Sequence, residues 1–179
     1  MRPKHRQAAA LLPVLVVALV VVLVRPAWAS GVSKTYKHAQ LAFQLSYPPD
    51  WNALPDEEGI TIIGPQPAGV PLPPYVSVKA SSRGSGAPAP LEQFAKTVIT
   101  DLEHTPQNFR LISSTPVKLG TSEGWLLDHT EGITETYYVI RLLAYGRKNT
   151  YIVKAATMAK SSAEERAALR KVLLTFRPD

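Results

Sequence analysis

The chain contains no cysteine, and that absence removes disulfides, thiolate metal sites, cysteine nucleophiles and a lipid anchor in one step. It also lacks the glycine patterns that cradle phosphates: neither Gly-x-Gly-x-x-Gly nor a P-loop occurs. Gly84-Ser85-Gly86 is no nucleophile elbow, because it sits within a flexible loop of prolines and small residues and not at a sharp strand-to-helix turn. Charged residues make up only 19% of the chain, with no long block of either sign. Only one apolar run is long enough to matter outside a core, and it lies at the start.

That start predicts an exported protein. Arg2, Lys4, His5 and Arg6 precede an uncharged apolar run over residues 8–24, and Ala27-Trp28-Ala29 ahead of Ser30 fits the small-x-small pattern of a signal peptidase site. Residues 1–29 are therefore expected to be a signal peptide cleaved after Ala29. An uncleaved anchor is the other reading, and Pro13 and Pro26 favour cleavage. Both readings put the remainder outside the cytosol, in a periplasm, extracellular space or thylakoid lumen.

The leader also carries most of the charge imbalance. Four of the 20 basic residues and none of the 14 acids lie in it, so the net charge of +6 falls to +2 for residues 30–179. Such a balance gives no concentrated basic face and speaks against nucleic acid as a partner. About 150 residues is a common size for one domain and buries enough surface to fold without staples.

Residues 30–37 are short and polar and read as a tether, with a single domain over 38–179. Phe43-Gln44-Leu45-Ser46-Tyr47 alternates at period two, as a half-buried strand does, and Pro48-Pro49-Asp50 stops it. Further strands are expected at 60–63 and 75–80. Between them, Pro65, Pro67, Pro71, Pro73 and Pro74 stiffen an extended, exposed loop. Leu91, Phe94, Val98, Ile99 and Leu102 form one helical stripe over 91–104, stopped by Pro106. Strands follow at 109–115, 124–131, 135–145 and 150–158, joined by turns too short for parallel crossovers. Ser161-Ser162-Ala163-Glu164 then reads as a capping box opening a last helix, with Leu169, Val172, Leu173 and Phe176 on its buried side. The expected fold class is α+β: an antiparallel sheet of about six to seven strands packed with two helices.

In this order of elements the chain resembles the PsbP-like family of extracytoplasmic domains. The likeness rests on Phe43-Gln44-Leu45-Ser46-Tyr47-Pro48-Pro49-Asp50-Trp51, on Leu91-Glu92-Gln93-Phe94-Ala95, and on a closing helix ending Leu174-Thr175-Phe176-Arg177. It implies an antiparallel sheet between helices, no intrinsic enzymatic activity, and an accessory role docking on a membrane or envelope partner.

Few side chains suggest chemistry. His129 and Glu131 share a strand face and could hold a divalent cation such as zinc or manganese, whereas Asp128 points the other way; a solvated strand face is the plainer alternative. No other cofactor is suggested. Tyr137, Tyr138, Tyr145, Tyr151 and Trp125 could stack a ligand or serve as cross-strand core pairs. Arg141 interrupts an apolar strand, where a charge must be paired or solvated. Arg147 and Lys148, with Arg110, Lys118 and Lys154, form at most a modest basic surface. The candidate partner-binding residues are Pro71, Pro73 and Pro74 in the stiff loop, with Tyr138 and Arg141 together on one sheet face, for a protein partner and with peripheral membrane association open.

Overall fold

The computed structural model describes residues 33–105 and 107–179. The leader over 1–29, its cleavage site, the first part of the tether and the helix stop at Pro106 lie outside the described residues.

Among the described residues, ten strands and two helices run in the order β1 (Lys34–His38), β2 (Phe43–Tyr47), β3 (Asn52–Asp56), β4 (Gly59–Ile63), β5 (Tyr75–Ser82), α1 (Leu91–Glu103), β6 (Arg110–Leu119), β7 (Ser122–Glu131), β8 (Tyr137–Tyr145), β9 (Asn149–Met158), α2 (Ala163–Leu173) and β10 (Arg177–Pro178). The pairings are all antiparallel, in a seven-stranded sheet ordered β3-β4-β5-β9-β8-β7-β6 and a small sheet ordered β1-β2-β10. The α+β class expected from the sequence is what the structure shows.

Alternation along the strands sorts the large sheet into two faces. Leu126, Tyr138, Ile140, Leu142, Tyr151 and Val153 point to one side, where Phe43 and Leu45 of β2 and Leu169, Val172, Leu173 and Phe176 from α2 onward close over them. Leu127 and Leu143 point to the other side and meet Ala95, Val98 and Leu102 of α1. The sheet is thus the middle layer.

The polar segment read as a tether is a strand over its second half. Tyr36 packs against the core while Lys34 and Lys37 face out, and a strand with only Tyr36 and His38 half-buried looks like a linker in sequence. Two elements broke the proline rule of thumb. Pro55 lies in β3 and Pro116 in β6, the two edges of the large sheet, where a missing N–H interrupts no ladder. β6 also carries a bulge between Leu111 and Ser113. The last helix is capped one residue later than expected: Ser162 accepts from the Glu165 amide at 3.1 Å, worth about 1 kcal/mol. The Glu165 carboxylate does not complete a box but accepts from the Thr157 hydroxyl, tying α2 to β9.

The proline-rich segment is the exposed loop expected, and its base is closed. The Gly64 amide donates to the Pro74 carbonyl at 2.8 Å, and the Gln66 side chain donates to the Val70 carbonyl at 2.8 Å. A β-carbon on Gly64 would stand 2.7 Å from the Trp51 ring, so glycine lets this indole seal the base of the loop.

Candidate functional site

Two buried carboxylates sit on β7, three residues apart and therefore on opposite faces. Asp128 points toward α2. It accepts from the Ser113 hydroxyl at 2.6 Å, from the Tyr138 hydroxyl at 2.9 Å, and from Arg170 Nη2 at 2.7 and 2.6 Å. One carboxylate meets one guanidinium and two hydroxyls, so charge and hydrogen-bond capacity are both satisfied. Burial raises the Tyr138 hydroxyl pKa above the ordinary phenol value, and the Asp128 contact adds to it. For Arg170, burial works against the charge, but the Asp128 carboxylate outweighs it and the guanidinium holds its proton more tightly. Arg166 covers the outer face of the Tyr138 ring, 4.7 Å from its centre. This constellation is a clasp between sheet and helix.

Glu131 points toward the α1 side. His129 Nε2 lies 3.1 Å from its Oε2, Arg141 Nη2 donates to the same oxygen at 2.9 Å, and Lys154 Nζ donates to Oε1 at 2.5 Å. The register explains the convergence: Arg141 of β8 lies directly opposite Lys154 of β9, and Glu131 lies opposite Tyr137 at the end of β7. Burial pushes the Glu131 carboxyl upward, but hydrogen bonds from His129 and Lys154 and the charges of Lys154 and Arg141 hold it well below the usual range. Arg141 Nε also stands 3.4 Å from His129 Nε2, which cannot both accept there and donate to Glu131. The imidazole is fully buried against the Phe109 ring at 5.1 Å, and its Nδ1 has no hydrogen-bond partner. An unpaired lone pair costs less than an orphaned N–H, so the hydrogen belongs on Nε2, donated to Glu131.

Around this network the sheet face is open. A pocket of about 270 Å³ is lined by Leu72, Tyr75, Gln107, Glu131, Gly132, Ile133, Tyr137, Lys154 and Ala156. Leu72 comes from the proline-rich loop and Ile133 from the β7–β8 turn, and they are 47% and 72% exposed. The Lys154 ammonium lies 5.9 Å from the centre of the Tyr75 ring.

The structure brings His129 and Glu131 together as their spacing predicts, but it surrounds the pair with two cations. Among the described residues no group of three or more His, Asp or Glu could hold a metal ion. A divalent cation would have to displace Lys154 and Arg141 from the carboxylate and would meet their charges. The donor set suits an anion better than a metal.

Of the partner-binding candidates, Pro71 is exposed, Pro73 half-buried and Pro74 buried beside Gly64, so the loop offers its tip and not its C-terminal end. Tyr138 and Arg141, expected on one sheet face, stand on opposite faces. They are three positions apart in a strand of period two, with Tyr138 committed to the α2 clasp and Arg141 beside the open pocket. The tyrosines divide in the same way: Tyr138 and Tyr151 belong to the α2 side, while Tyr145 stacks on Phe94 of α1 at 5.7 Å. Of the basic residues read as a modest surface, Lys118 pairs with Glu123 at 2.8 Å and Lys154 with Glu131. Tyr137 was among the aromatics that could stack a ligand, whereas Leu72, Ile133 and Tyr75 were not singled out as site residues. An exposed apolar residue at a loop tip was the available signal for Ile133; Leu72 reads as one more residue of a stiff loop.

No protein-family model matches the chain, and no curated protein is similar to it at the level of sequence. Solved structures do match. The cyanobacterial PsbP (CyanoP) of Synechocystis sp. PCC 6803 superimposes with a TM-score of 0.64 at 10% identity, over 84% of this chain and 95% of that one. The fold is PsbP/Mog1-like. LpqN, involved in cell envelope biogenesis of Mycobacterium tuberculosis, matches with a TM-score of 0.58 at 16% identity, over 81% of this chain and 89% of its own. The Saccharomyces cerevisiae Ran-binding protein Mog1p matches with a TM-score of 0.55 at 12% identity, over 82% and 95%. At these identities the likeness is one of fold, and one fold carries proteins of different function.

Proposed function

We propose that the chain is a non-catalytic, extracytoplasmic accessory protein of the PsbP-like type that docks on a protein partner at a membrane or envelope. The docking surface is the open sheet face framed by the proline-rich loop and the β7–β8 turn. One observation carries this reading: Leu72 and Ile133, from loops far apart in sequence, are held exposed on either side of a pocket whose floor is a desolvated ion network. Exposed apolar side chains converging on one recess are what a protein interface uses as anchors. The stiff loop loses little entropy on binding. Two further facts support the reading. The ionisable groups that converge are engaged with one another. The fold is also shared with a cyanobacterial PsbP and with an envelope-biogenesis protein.

Photo-crosslinking in intact cells tests it. A benzophenone side chain at position 133 should give a discrete adduct in the envelope fraction, while the same group at Lys171, exposed on α2, should not. Equal labelling from both positions, or none from 133, would refute the docking surface.

A further inference from the structure

We propose that the pocket beside Lys154 takes a carboxylate side chain of the partner, presented between apolar neighbours. The inference rests on the docking reading and names its chemistry.

The charge balance of the network is the first argument. Arg141 and Lys154 are two cationic side chains mostly withdrawn from water, 15% and 24% exposed, and they share the single carboxylate of Glu131. His129 contributes an N–H donor and no negative charge. The cluster therefore holds one positive charge more than it neutralises. A partly desolvated cation without its own counter-ion is unfavourable, and an incoming anion relieves it. On the other face of the same strand Asp128 and Arg170 balance one to one, so the excess is particular to this side.

Free donor capacity is the second. Lys154 has three N–H groups and spends one on Glu131; Arg141 has five and spends one on Glu131. The remaining donors stand where the sheet face is open, with Lys154 in the pocket wall and Arg141 next to it across the β8–β9 register.

The wall decides the kind of anion. Leu72, Tyr75, Ile133, Tyr137 and Ala156 make the surround largely apolar. A free, strongly hydrated anion gains nothing from these surfaces, whereas a peptide places an aspartate or glutamate at Lys154 and lays flanking aliphatic side chains on Leu72 and Ile133. Lys154 lines the pocket because its strand neighbours Tyr151, Val153 and Ala155 all face the core on the other side, which turns position 154 toward the open face.

Capped tripeptides with the sequences Leu-Glu-Leu and Leu-Gln-Leu, titrated into the exported domain and followed by amide and side-chain NMR, test this. The glutamate peptide should shift resonances of Ile133, Tyr137 and Lys154, and the glutamine peptide should bind about 10-fold or more weakly, since a charge-assisted hydrogen bond is lost. Lys154→Met should weaken the glutamate peptide by a similar factor, and added salt should weaken it progressively. Equal binding of the two peptides, binding indifferent to Lys154→Met, or binding of inorganic phosphate at this site in preference to the glutamate peptide would each overturn the proposal. The peptide comparison uses the unaltered protein, so a folding defect cannot mimic failure. If the position-133 adduct forms while the two peptides bind alike, the carboxylate chemistry is wrong and the docking surface stands.

Discussion

Replacing Glu131 by glutamine keeps the shape of the network but removes its only negative charge. Arg141 and Lys154, 15% and 24% exposed, are then left as two uncompensated cations a carboxamide apart. Removing one partner of a fully buried pair costs about 3–5 kcal/mol. Both cations keep some solvent, so the expected loss here is about 2–3 kcal/mol, a fall of about 4–12 °C in Tm for a domain of this size. Urea unfolding followed by tryptophan fluorescence measures it. The pH dependence has a definite sign. Because the folded carboxyl is held below its ordinary value of 4.5, its contribution is fully present above that pH and is lost as pH falls through it toward the depressed folded value. The gap between wild type and Glu131→Gln should therefore narrow under acid. A triple variant, Glu131→Leu with Arg141→Leu and Lys154→Met, should recover to within about 1 kcal/mol of wild type, because an apolar replacement of the whole network carries no unpaired charge. A glutamine variant as stable as wild type, or a gap that stays constant from about pH 7 to about pH 3, would refute the account of the network as an ion cluster held by Glu131.

Tyr151→Phe removes one hydroxyl whose proton is shared between the half-buried carbonyls of Leu41 and Ala42 at 2.6 and 2.8 Å, and leaves them with the Asn149 side chain and the Asp179 amide as their remaining donors. It should cost about 1–2 kcal/mol and speed amide exchange in β1 and β2 ahead of the large sheet; uniform exchange throughout would count against a local role. Zinc or manganese titrated calorimetrically should produce no binding heat that His129→Ala abolishes, because Lys154 and Arg141 occupy the carboxylate a metal would need. A stoichiometric, His129-dependent heat would reverse the assignment of the pair.

The layered architecture was legible in the sequence because each of its signals is local. The period-two run Phe43 to Tyr47, the stripe from Leu91 to Leu102 and the short turns of the β6–β9 meander each encode one element, and consecutive hairpins leave little choice of topology. β1 and β3 were not legible. One buries only Tyr36 deeply enough to matter, and the other is a proline-bearing edge whose existence depends on pairing with β4. The site was legible in part. His129 and Glu131 could be placed on one face by counting along β7, but Arg141 and Lys154 meet them only through the registers of β8 and β9, which no local pattern specifies. The same counting applied to β8 separates Tyr138 from Arg141, three positions apart, and places the tyrosine among the groups that clasp α2.

That separation bears on how the fold can bind without weakening itself. Asp128 and Glu131 lie on one strand, both buried, both with arginine partners. Asp128 has as many charges as it can neutralise, and its partners Ser113, Tyr138 and Arg170 join three elements, so its hydrogen bonds are spent on holding α2 to the sheet. Glu131 is outnumbered by its cations, and its partners all belong to the sheet itself, so nothing between layers depends on them. An anion drawn to Lys154 and Arg141 can share them with Glu131 while the sandwich stays closed. A pocket on the Asp128 side would have to open the clasp to admit a ligand, and the unfavourable cost of freeing a buried carboxylate would be charged against every binding event. The division of the two faces, one sealed by a balanced ion pair and the other left open over an unbalanced one, is the physical reason to look for the partner on the loop side of the sheet.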